Sequence, residues 1–475
     1  MKEDTKGLTA KKSEDFSEWY TQVIQKAELA DYSSVKGFMV IRTNGYSLWE
    51  NIQKNFDRAI KKLGVKNAYF PLLIPESFFK KEAEHAEGFS PEVAWVDTKG
   101  EERLAIRPTS ETIMYDSYSK WIRSWRDLPL RINQWVNVLR WETKTTRLFL
   151  RTREFLWQEG HCVYETQKEC EKETMIYLNE YKKLCEEFLA IHVLDGRKTQ
   201  GEKFAGAVNT YSIEAFMPDG RALQMATSHD LGQNFAKSFN IKFIDKDAKE
   251  KYVWQNSWGI STRTIGALTM VHGDDNGIIV PPKLAENKIA IIPIIFKENR
   301  EKILKKCKEI ASLLKKFNPI LDDRDGYSSG WKFHEWEMKG IPIRIEIGPN
   351  DISKKQVVIA RRDTAKKEFI KETLLGEKVD EILMDIQKSL YEKSKNSVLN
   401  NIKKCKSISE ARKTINDRKI GLVEMCDTEK CEEILKEKTG GAKTLNIPFE
   451  QPKKLESCIV CGKKARYEVR IGKSY

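Results

Sequence analysis

Apolar positions recur along this chain with two periods, and the switches between them predict its elements. Leu48, Ile52, Phe56, Ile60 and Leu63 form one stripe at helical spacing, which predicts a helix over 46–63 ended by Gly64. The run "VKNAYFPLLIP" that follows predicts a buried strand. Residues 165–192 return to helical spacing. Beyond them, two alternating apolar runs flank the turn "MPDGRA" and predict a β-hairpin. "SWGISTRTIGALTMVHGDDNG" reads as a strand, a glycine-bearing turn and a helix. Pro281 and Pro282 break the pattern and mark a domain boundary. Strand and helix signals then alternate from "KIAIIPIIF" through a Lys-rich helix over 298–317 to "KQVVIARRDT", the pattern of an α/β domain with a mixed sheet. Residues 376–415 read as a charged helical connector.

One stretch breaks the apolar-in, polar-out rule. Residues 105–160 carry Arg107, Arg131, Arg140, Arg147, Arg151 and Arg153 together with Glu111, Glu142, Glu154 and Glu159, among Trp, Leu and Val. Charges at that density in core-bound strands are costly unless they meet one another or a charged ligand. For any single arginine a surface ion pair is the simpler reading. Several converging on a polyanion is the alternative, because guanidinium forks match phosphate and carboxylate oxygens. Period-two alternation puts Arg140 and Glu142 on one face and Phe155 and Trp157 together on the returning strand.

Composition narrows the partners. A chain of 475 residues holds two to four domains, and 40% hydrophobic content with 12 Trp fits a globular protein. No apolar run approaches the ~20 residues that span a bilayer. The mixed-charge start "MKEDTKGLTAKKSEDFSEW" has no signal-peptide pattern, so a cytoplasmic location is expected. The net charge of +13 suits an anionic partner such as RNA, although pairs like Lys61-Lys62 and Lys315-Lys316 read as solvated helix faces. Of nine cysteines, Cys162, Cys170, Cys185, Cys307 and Cys405 are scattered and read as reduced core residues. Cys426 and Cys431, followed by Cys458 and Cys461, form C-x4-C and C-x2-C knuckles, enough thiolates for one tetrahedral zinc.

Arg140-Trp141-Glu142, the loop after it and Phe155 resemble motif 2 of the class II aminoacyl-tRNA synthetases. Together with "RPTSE", "RTREFLWQEGH", "QMATSH", "SWGISTRTIGALTMVHGD" and "GWKFHEWEMKGIPIRIEIGP", the chain resembles the prolyl-tRNA synthetase family of the archaeal and eukaryotic type, from about residue 16 to Tyr475. The resemblance implies an α+β protein: a flexible N-terminus over 1–15, an antiparallel-sheet catalytic domain over 16–283, an α/β anticodon-binding domain over 287–385 and a small zinc-binding domain over 395–475. It implies a homodimer built on the helix over 46–63 and the segment carrying Pro71, as in motif 1. ATP and L-proline are the expected substrates with tRNA(Pro) as partner, Mg²⁺ accompanies ATP, and no membrane is involved.

By the same resemblance, Arg140 bridges the proline carboxylate and the α-phosphate, and Glu142 accepts from the adenine amino group. Phe155 and Arg263 sandwich the adenine, and Arg151 faces the phosphates. Thr227 and Ser261 also border the nucleotide, and Gln224 matches a position touching both metal and nucleotide. Thr109 and Glu111 match the pair that binds the substrate ammonium. Trp157, His161 and His229 match the pocket wall, although a lone histidine such as His229 is more often a structural residue. Glu337 and Arg344 match positions that read a guanine of the anticodon. Three positions depart from the family pattern: Ser261 stands for Thr, Leu148 for Pro, and Asn350 for a basic residue, which puts one anticodon contact in question.

Two other functions compete. A threonyl-type relative would need Cys and His metal ligands in the pocket, and the pocket strings supply no such set. A catalytically silent RNA-binding paralogue would not need the motif arginines, which are present. Bacterial-type relatives carry a large editing insertion between motifs 2 and 3. The interval from His161 to Ser257 has no room for one, so amino-acid discrimination is expected from the pocket alone.

Overall fold

The computed structural model describes residues 7–78, 93–141 and 145–475. Helices α1 (Phe16–Lys26), α2 (Thr43–Lys62) and α3 (Glu111–Trp121) precede the strands that organise the molecule. These are β1 (Leu130–Leu139), β2 (Glu154–Tyr164), β3 (Val193–Arg197), β4 (Asn209–Phe216), β5 (Arg221–Gly232) and β6 (Trp254–Ser261). They pair antiparallel throughout in the order β1-β2-β6-β5-β4-β3. The expected turn Met217–Gly220 joins β4 to β5, with Gly220 at φ +84.

One face of this sheet is packed against helices. The helix α4 (Gln167–Lys183), which opens on a Thr166–Glu169 capping box, lays Tyr177 on Trp258 of β6 with ring centroids 4.1 Å apart. Phe56 of α2 stacks on Tyr181 of α4 at 4.7 Å. Trp258 lies so close to β2 that a Cβ on Gly160 would sit 2.1 Å from its ring, so only glycine fits at residue 160. The stripe on α2 is buried as expected at Leu48, Ile52, Phe56 and Ile60, with Trp49 added, while Leu63 is the half-buried cap. Helix α5 (Arg263–His272) follows β6 after one residue and packs into the same core.

Several expectations are corrected. "VKNAYFPLLIP" does not form one buried strand but two short pieces, Lys66–Asn67 and Leu73–Pro75, with Tyr69 71% and Leu73 37% exposed. Pro71 sits between the pieces and has no N–H to continue a ladder. Of the N-terminal stretch, residues 1–6 lie outside the described residues, and 7–15 are docked rather than loose. There the Thr9 N–H donates to Gln22 Oε1 at 2.8 Å and Lys12 Nζ to the Gly273 carbonyl at 2.6 Å.

The second unit holds strands β7 (Ile289–Pro293), β8 (Ile320–Leu321), β9 (Ile343–Ile347), β10 (Gln356–Arg361) and β11 (Lys367–Lys371) in the order β8-β7-β9-β10-β11. The first two pairings are parallel and the last two antiparallel, the expected mixed sheet. Helices α6 (Arg300–Leu313) and α7 (Ser329–Met338) belong to it. The segment read as a connector is instead a core element. Helix α8 (Leu375–Leu399) buries Leu375, Val379, Ile382, Ile386 and Leu390 against this sheet, an apolar stripe that its dense surface charge hides in the sequence.

The last unit contains a short strand Ile402–Lys404, helices α9 (Ile408–Asn416) and α10 (Glu429–Lys438), and strands β12 (Ile420–Met425), β13 (Lys443–Asn446) and β14 (Tyr467–Ser474). The end of β14 pairs parallel with the start of β5, Arg221 facing Lys473, so the first and last units share one eleven-stranded sheet. Arg470 donates to the Asp195 carbonyl at 2.9 Å, and Tyr475 donates its hydroxyl to Asp219 Oδ2 at 2.6 Å. Among the described residues, no helix is long and apolar enough to cross a membrane.

Candidate active site

The face of the central sheet away from α2 and α4 carries most of the expected residues, and strand alternation explains why. On β2, Gln158, Gly160 and Cys162 point to the helices, so Phe155, Trp157, Glu159 and His161 point the other way. Across the ladder, Ser261 lies opposite Trp157, Gly259 opposite Glu159, and Thr227 opposite Gly259. His229 lies opposite Ser257, two positions along the same face. A bulge at Met225 keeps Gln224 on this face, paired with Glu214. Ten residues apart or a hundred in sequence, these side chains meet because β2, β5 and β6 are adjacent.

The floor of the site is a buried acidic network. Glu159, 2% exposed, accepts from the Ser110 hydroxyl and from Gln134 Nε2 at 2.9 Å, and its other oxygen lies 3.2 Å from His161 Nε2. Tyr115 contacts His161 Nδ1 at 3.1 Å. Thr109 donates its hydroxyl to Glu111, the first residue of α3, where a carboxylate also suits the helix dipole. Glu111, Glu159 and His161 bring their polar atoms within 4.8 Å of one another. Burial disfavours both charges of the Glu159–His161 pair, yet their mutual hydrogen bond prevails. It raises the histidine above its ordinary value, and with Ser110 and Gln134 it holds the glutamate below its own.

The wall and rim are aromatic and cationic. Phe155 and Trp157 meet edge to face at 5.9 Å, and the Arg140 guanidinium lies 5.6 and 5.4 Å from their ring centres. Arg140 Nε donates to the Pro108 carbonyl at 3.1 Å, which ties it to the segment bearing Thr109. Arg263, the first residue of α5, reaches the Gln224 carbonyl at 3.4 Å, and its N–H faces Ser261 Oγ at 3.3 Å. His229 contacts Thr210 Oγ1 at 3.0 Å and packs on Phe204 at 4.7 Å. Burial pushes its pKa down to about 3, helped by His161 and Lys198 nearby. Arg151 lies on an isolated bridge with Arg147 in the loop between β1 and β2. Glu142 lies outside the described residues.

The arginines of 105–160 do not all converge. Arg107, 2% exposed, donates to the carbonyls of Phe70 and Asn137 at 2.8 and 2.9 Å and staples its strand to β1. Arg131 pairs with Glu173 of α4 at 2.8 Å, Arg147 covers the Tyr20 ring at 4.6 Å, and Arg153 covers Trp141 at 4.3 Å. Arg140 is wedged between the aromatic wall and the Thr109 segment. Sequence reading assigned no role to Glu159, Tyr115, Ser110 or Gln134. The signal for Glu159 was present, since it falls between Trp157 and His161 on the same alternation.

The four C-terminal cysteines form a second cluster, with ligand atoms all within 4.8 Å. Cys426 Sγ is 3.4 Å from Cys431 Sγ and 3.6 Å from Cys461 Sγ. A tetrahedral zinc with Zn–S of ~2.3 Å sets its sulfurs ~3.8 Å apart. The residues therefore fit that metal, and the five other cysteines are buried and free.

In the second unit, Arg344 on β9 donates to Glu337 of α7 at 2.5 Å and to Glu346 at 2.9 Å, and it lies 4.1 Å from the Phe333 ring centre. The two residues expected to read RNA thus meet, at a cavity of about 230 Å³. Asn350 lies in the short helix Pro349–Ser353.

The antiparallel sheet, with an arginine one residue past β1 and a second at the start of α5, has the architecture of a class II aminoacyl-tRNA synthetase core. A family model described as tRNA synthetase class II core domain (G, H, P, S and T) matches residues 94–272. Models described as anticodon binding domain and as prolyl-tRNA synthetase, C-terminal, match 288–382 and 408–475. The chain is 51% identical to a proline--tRNA ligase of Natranaerobius thermophilus over 95% of its length and 94% of that relative. It is 49% identical to proline--tRNA ligase 2 of Bacillus cereus over the full length of both, and 50% identical to a proline--tRNA ligase of Alkaliphilus oremlandii over 97% and 96%. The chain belongs to the prolyl-tRNA synthetase family.

Proposed function

We propose that this chain activates L-proline with ATP and transfers the prolyl group to the 3′ end of tRNA(Pro), with Arg140 at the reacting centre. The observation that carries this reading is the juxtaposition of a buried acidic floor, an aromatic wall and Arg140 on one sheet face. Proline is a zwitterion with a secondary ammonium that donates two hydrogen bonds and an apolar ring. Glu111 and Thr109 accept from the ammonium, Trp157, His161 and His229 enclose the ring, and Arg140 takes the carboxylate. The buried Nε1–H of Trp157 has no acceptor among the described residues, leaving a donor for substrate.

In the first step a proline carboxylate oxygen attacks the α-phosphorus and pyrophosphate leaves. In the second, a ribose hydroxyl of the terminal tRNA nucleotide attacks the carbonyl carbon and AMP leaves. Neither needs a protein nucleophile, so the protein contributes positioning and charge. Arg140 holds carboxylate and α-phosphate together, Phe155 and Arg263 stack on the adenine, Arg151 faces the phosphates, and Thr227 and Ser261 border the nucleotide. Gln224 offers one neutral oxygen, while Glu214 opposite it is engaged by Lys198 at 2.8 Å and by Ser212. Mg²⁺, which offsets phosphate charge when bound, would therefore come mainly on the oxygens of ATP with Gln224 as a protein contact. Zinc would be held by Cys426, Cys431, Cys458 and Cys461, and a closed four-thiolate site supplies stability rather than chemistry.

Glu337 and Arg344 are the candidate contacts to the anticodon of tRNA(Pro). A homodimer would use α2 and the segment around Pro71, where exposed Tyr69 and Leu73 give apolar surface to a second copy. The enzyme would act in the cytoplasm, where tRNA is charged. Between β2 and β6 the chain is occupied by α4, β3, the β4–β5 hairpin and short elements after it, so no hydrolytic domain stands there. A pocket alone rejects a smaller substrate by only about 1–3 kcal/mol per missing methylene.

Amino-acid-dependent ATP–pyrophosphate exchange across the twenty amino acids tests the reading. Proline should give the highest kcat/KM, with alanine and cysteine weaker but measurable. Faster exchange with any other amino acid would overturn it.

A further inference from the structure

The candidate anticodon contacts open onto a cavity that two units share. Its lining includes Glu337 and Arg344 from the second unit, and Asp274 and Asn276 from the segment that leaves the catalytic helix α5. About 150 Å³ holds a benzene ring, so 230 Å³ suits a bicyclic base. At its edge, Arg362, 6% exposed, grips both Asp274 oxygens at 2.6 and 2.8 Å and donates Nε to the Glu337 carbonyl at 2.8 Å. The backbones are joined beside it, Ile278 N–H to Met338 O and Val280 N–H to Gly340 O, both at 3.2 Å. Gly277, at φ +125, has no space for a side chain, since a Cβ would lie 2.5 Å from Met338 Cα. Helix α5 begins at Arg263 and is about 15 Å long, so this joint and the arginine proposed to stack on adenine stand at the two ends of one helix.

We propose that the catalytic unit supplies part of the anticodon site: one unpaired guanine enters the shared cavity and meets Asn276 as well as Glu337 and Arg344, with Arg362 and Asp274 as positioning residues. The inference rests on the reading of Glu337 and Arg344 as RNA contacts. The chemistry fits guanine. Its Watson–Crick edge donates twice, to the second oxygen of Glu337 and to the exposed Asn276 amide oxygen, and its O6 and N7 accept from Arg344. Anticodons that pair with the proline codons carry two guanines. A base held by both units would fix their relative placement, and with it the reach from anticodon to acceptor end.

The test uses the full-length enzyme with tRNA(Pro) transcript, the same transcript with either anticodon guanine changed to adenine, and an acceptor-stem minihelix. Asn276→Ala should narrow the guanine-over-adenine preference about tenfold at one anticodon position, within the range of a single lost base contact. Arg362→Ala should lower kcat/KM for whole tRNA at least tenfold more than for the minihelix or for proline-dependent exchange. The exchanged pair Asp274→Arg with Arg362→Asp should recover part of that loss. If Arg362→Ala misfolds, Asp274→Asn probes the same pair. Equal losses on whole tRNA and minihelix, or unchanged discrimination in Asn276→Ala, would overturn the proposal. Unchanged discrimination in Glu337→Ala and Arg344→Ala would instead overturn the underlying assignment of the anticodon site.

Discussion

Arg140→Ala removes an arginine that sits at once on the aromatic wall and on the Thr109 segment. In the free enzyme it gives up a half-buried hydrogen bond to the Pro108 carbonyl and two ring contacts at 5.4 and 5.6 Å. Those are worth about 1 kcal/mol for the bond and roughly 0.5–1 kcal/mol for the cation–π contact. The sum, near 2 kcal/mol, lies below the roughly 5–15 kcal/mol by which domains are stable, so the variant should fold. Loss of a donor that contacts the reacting groups typically costs about 10²–10³ in rate. Proline-dependent ATP–pyrophosphate exchange should therefore fall by that factor while circular dichroism and gel filtration stay normal. Arg140→Lys keeps the charge but loses the fork, and should recover only part of the rate. Near-normal exchange in a folded Arg140→Ala protein would refute the placement of Arg140 at the α-phosphate.

Protein purified without chelator should carry about one zinc per chain, and Cys458→Ser should lower both metal content and melting temperature while shifting KM for proline far less; under half an equivalent in the wild type would count against the site. Histidine titration by NMR should separate two neighbours: His161 above its ordinary value of 6.5, and His229 near 3. The sign has a stability consequence, because the raised His161 stabilises the fold below 6.5 and loses that contribution as pH rises through its folded value. Glu159, held low, contributes above its ordinary 4.5 and loses that as pH falls through its depressed value. A His161 midpoint at or under 6.5 would show that burial, not the Glu159 bond, dominates.

What could be read from the sequence was what periodicity or short motifs carry. The α2 stripe, the β4–β5 hairpin and the β6–α5 turn each depend on neighbours within a few residues, and each formed as read. The mixed sheet of the second unit followed from its alternating strand and helix signals. The misreadings share another cause. Whether Arg107 or Arg131 serves a ligand or a carbonyl depends on partners such as Phe70 and Glu173, which no local pattern names. Helix α8 looked like a linker because its charged faces outweigh a narrow apolar stripe, and "VKNAYFPLLIP" looked buried because composition says nothing of which side faces solvent. Gln134 and Ser110 could be recognised as site residues only once β1 and the start of α3 were seen to close on Glu159.

The division of labour within the site follows from the same geometry. Residues that would recognise proline stand on the interior of β2 and β5 or at the buried start of α3, where ladder bonds on both sides and the Trp258–Gly160 contact behind them leave little freedom. Recognition of a small rigid ring needs that stiffness, because a loose wall would admit water and larger side chains. Residues that would handle ATP stand at element ends: Arg140 one residue past β1, Arg263 at the start of α5, and Arg151 in a loop. Arg263 adds a further constraint. A cation at a helix start opposes the helix dipole, and the Arg263 guanidinium reaches the Gln224 carbonyl there at 3.4 Å. On the proposed roles, the residues that select stand in strand interiors and those that react stand at strand and helix ends of the same sheet.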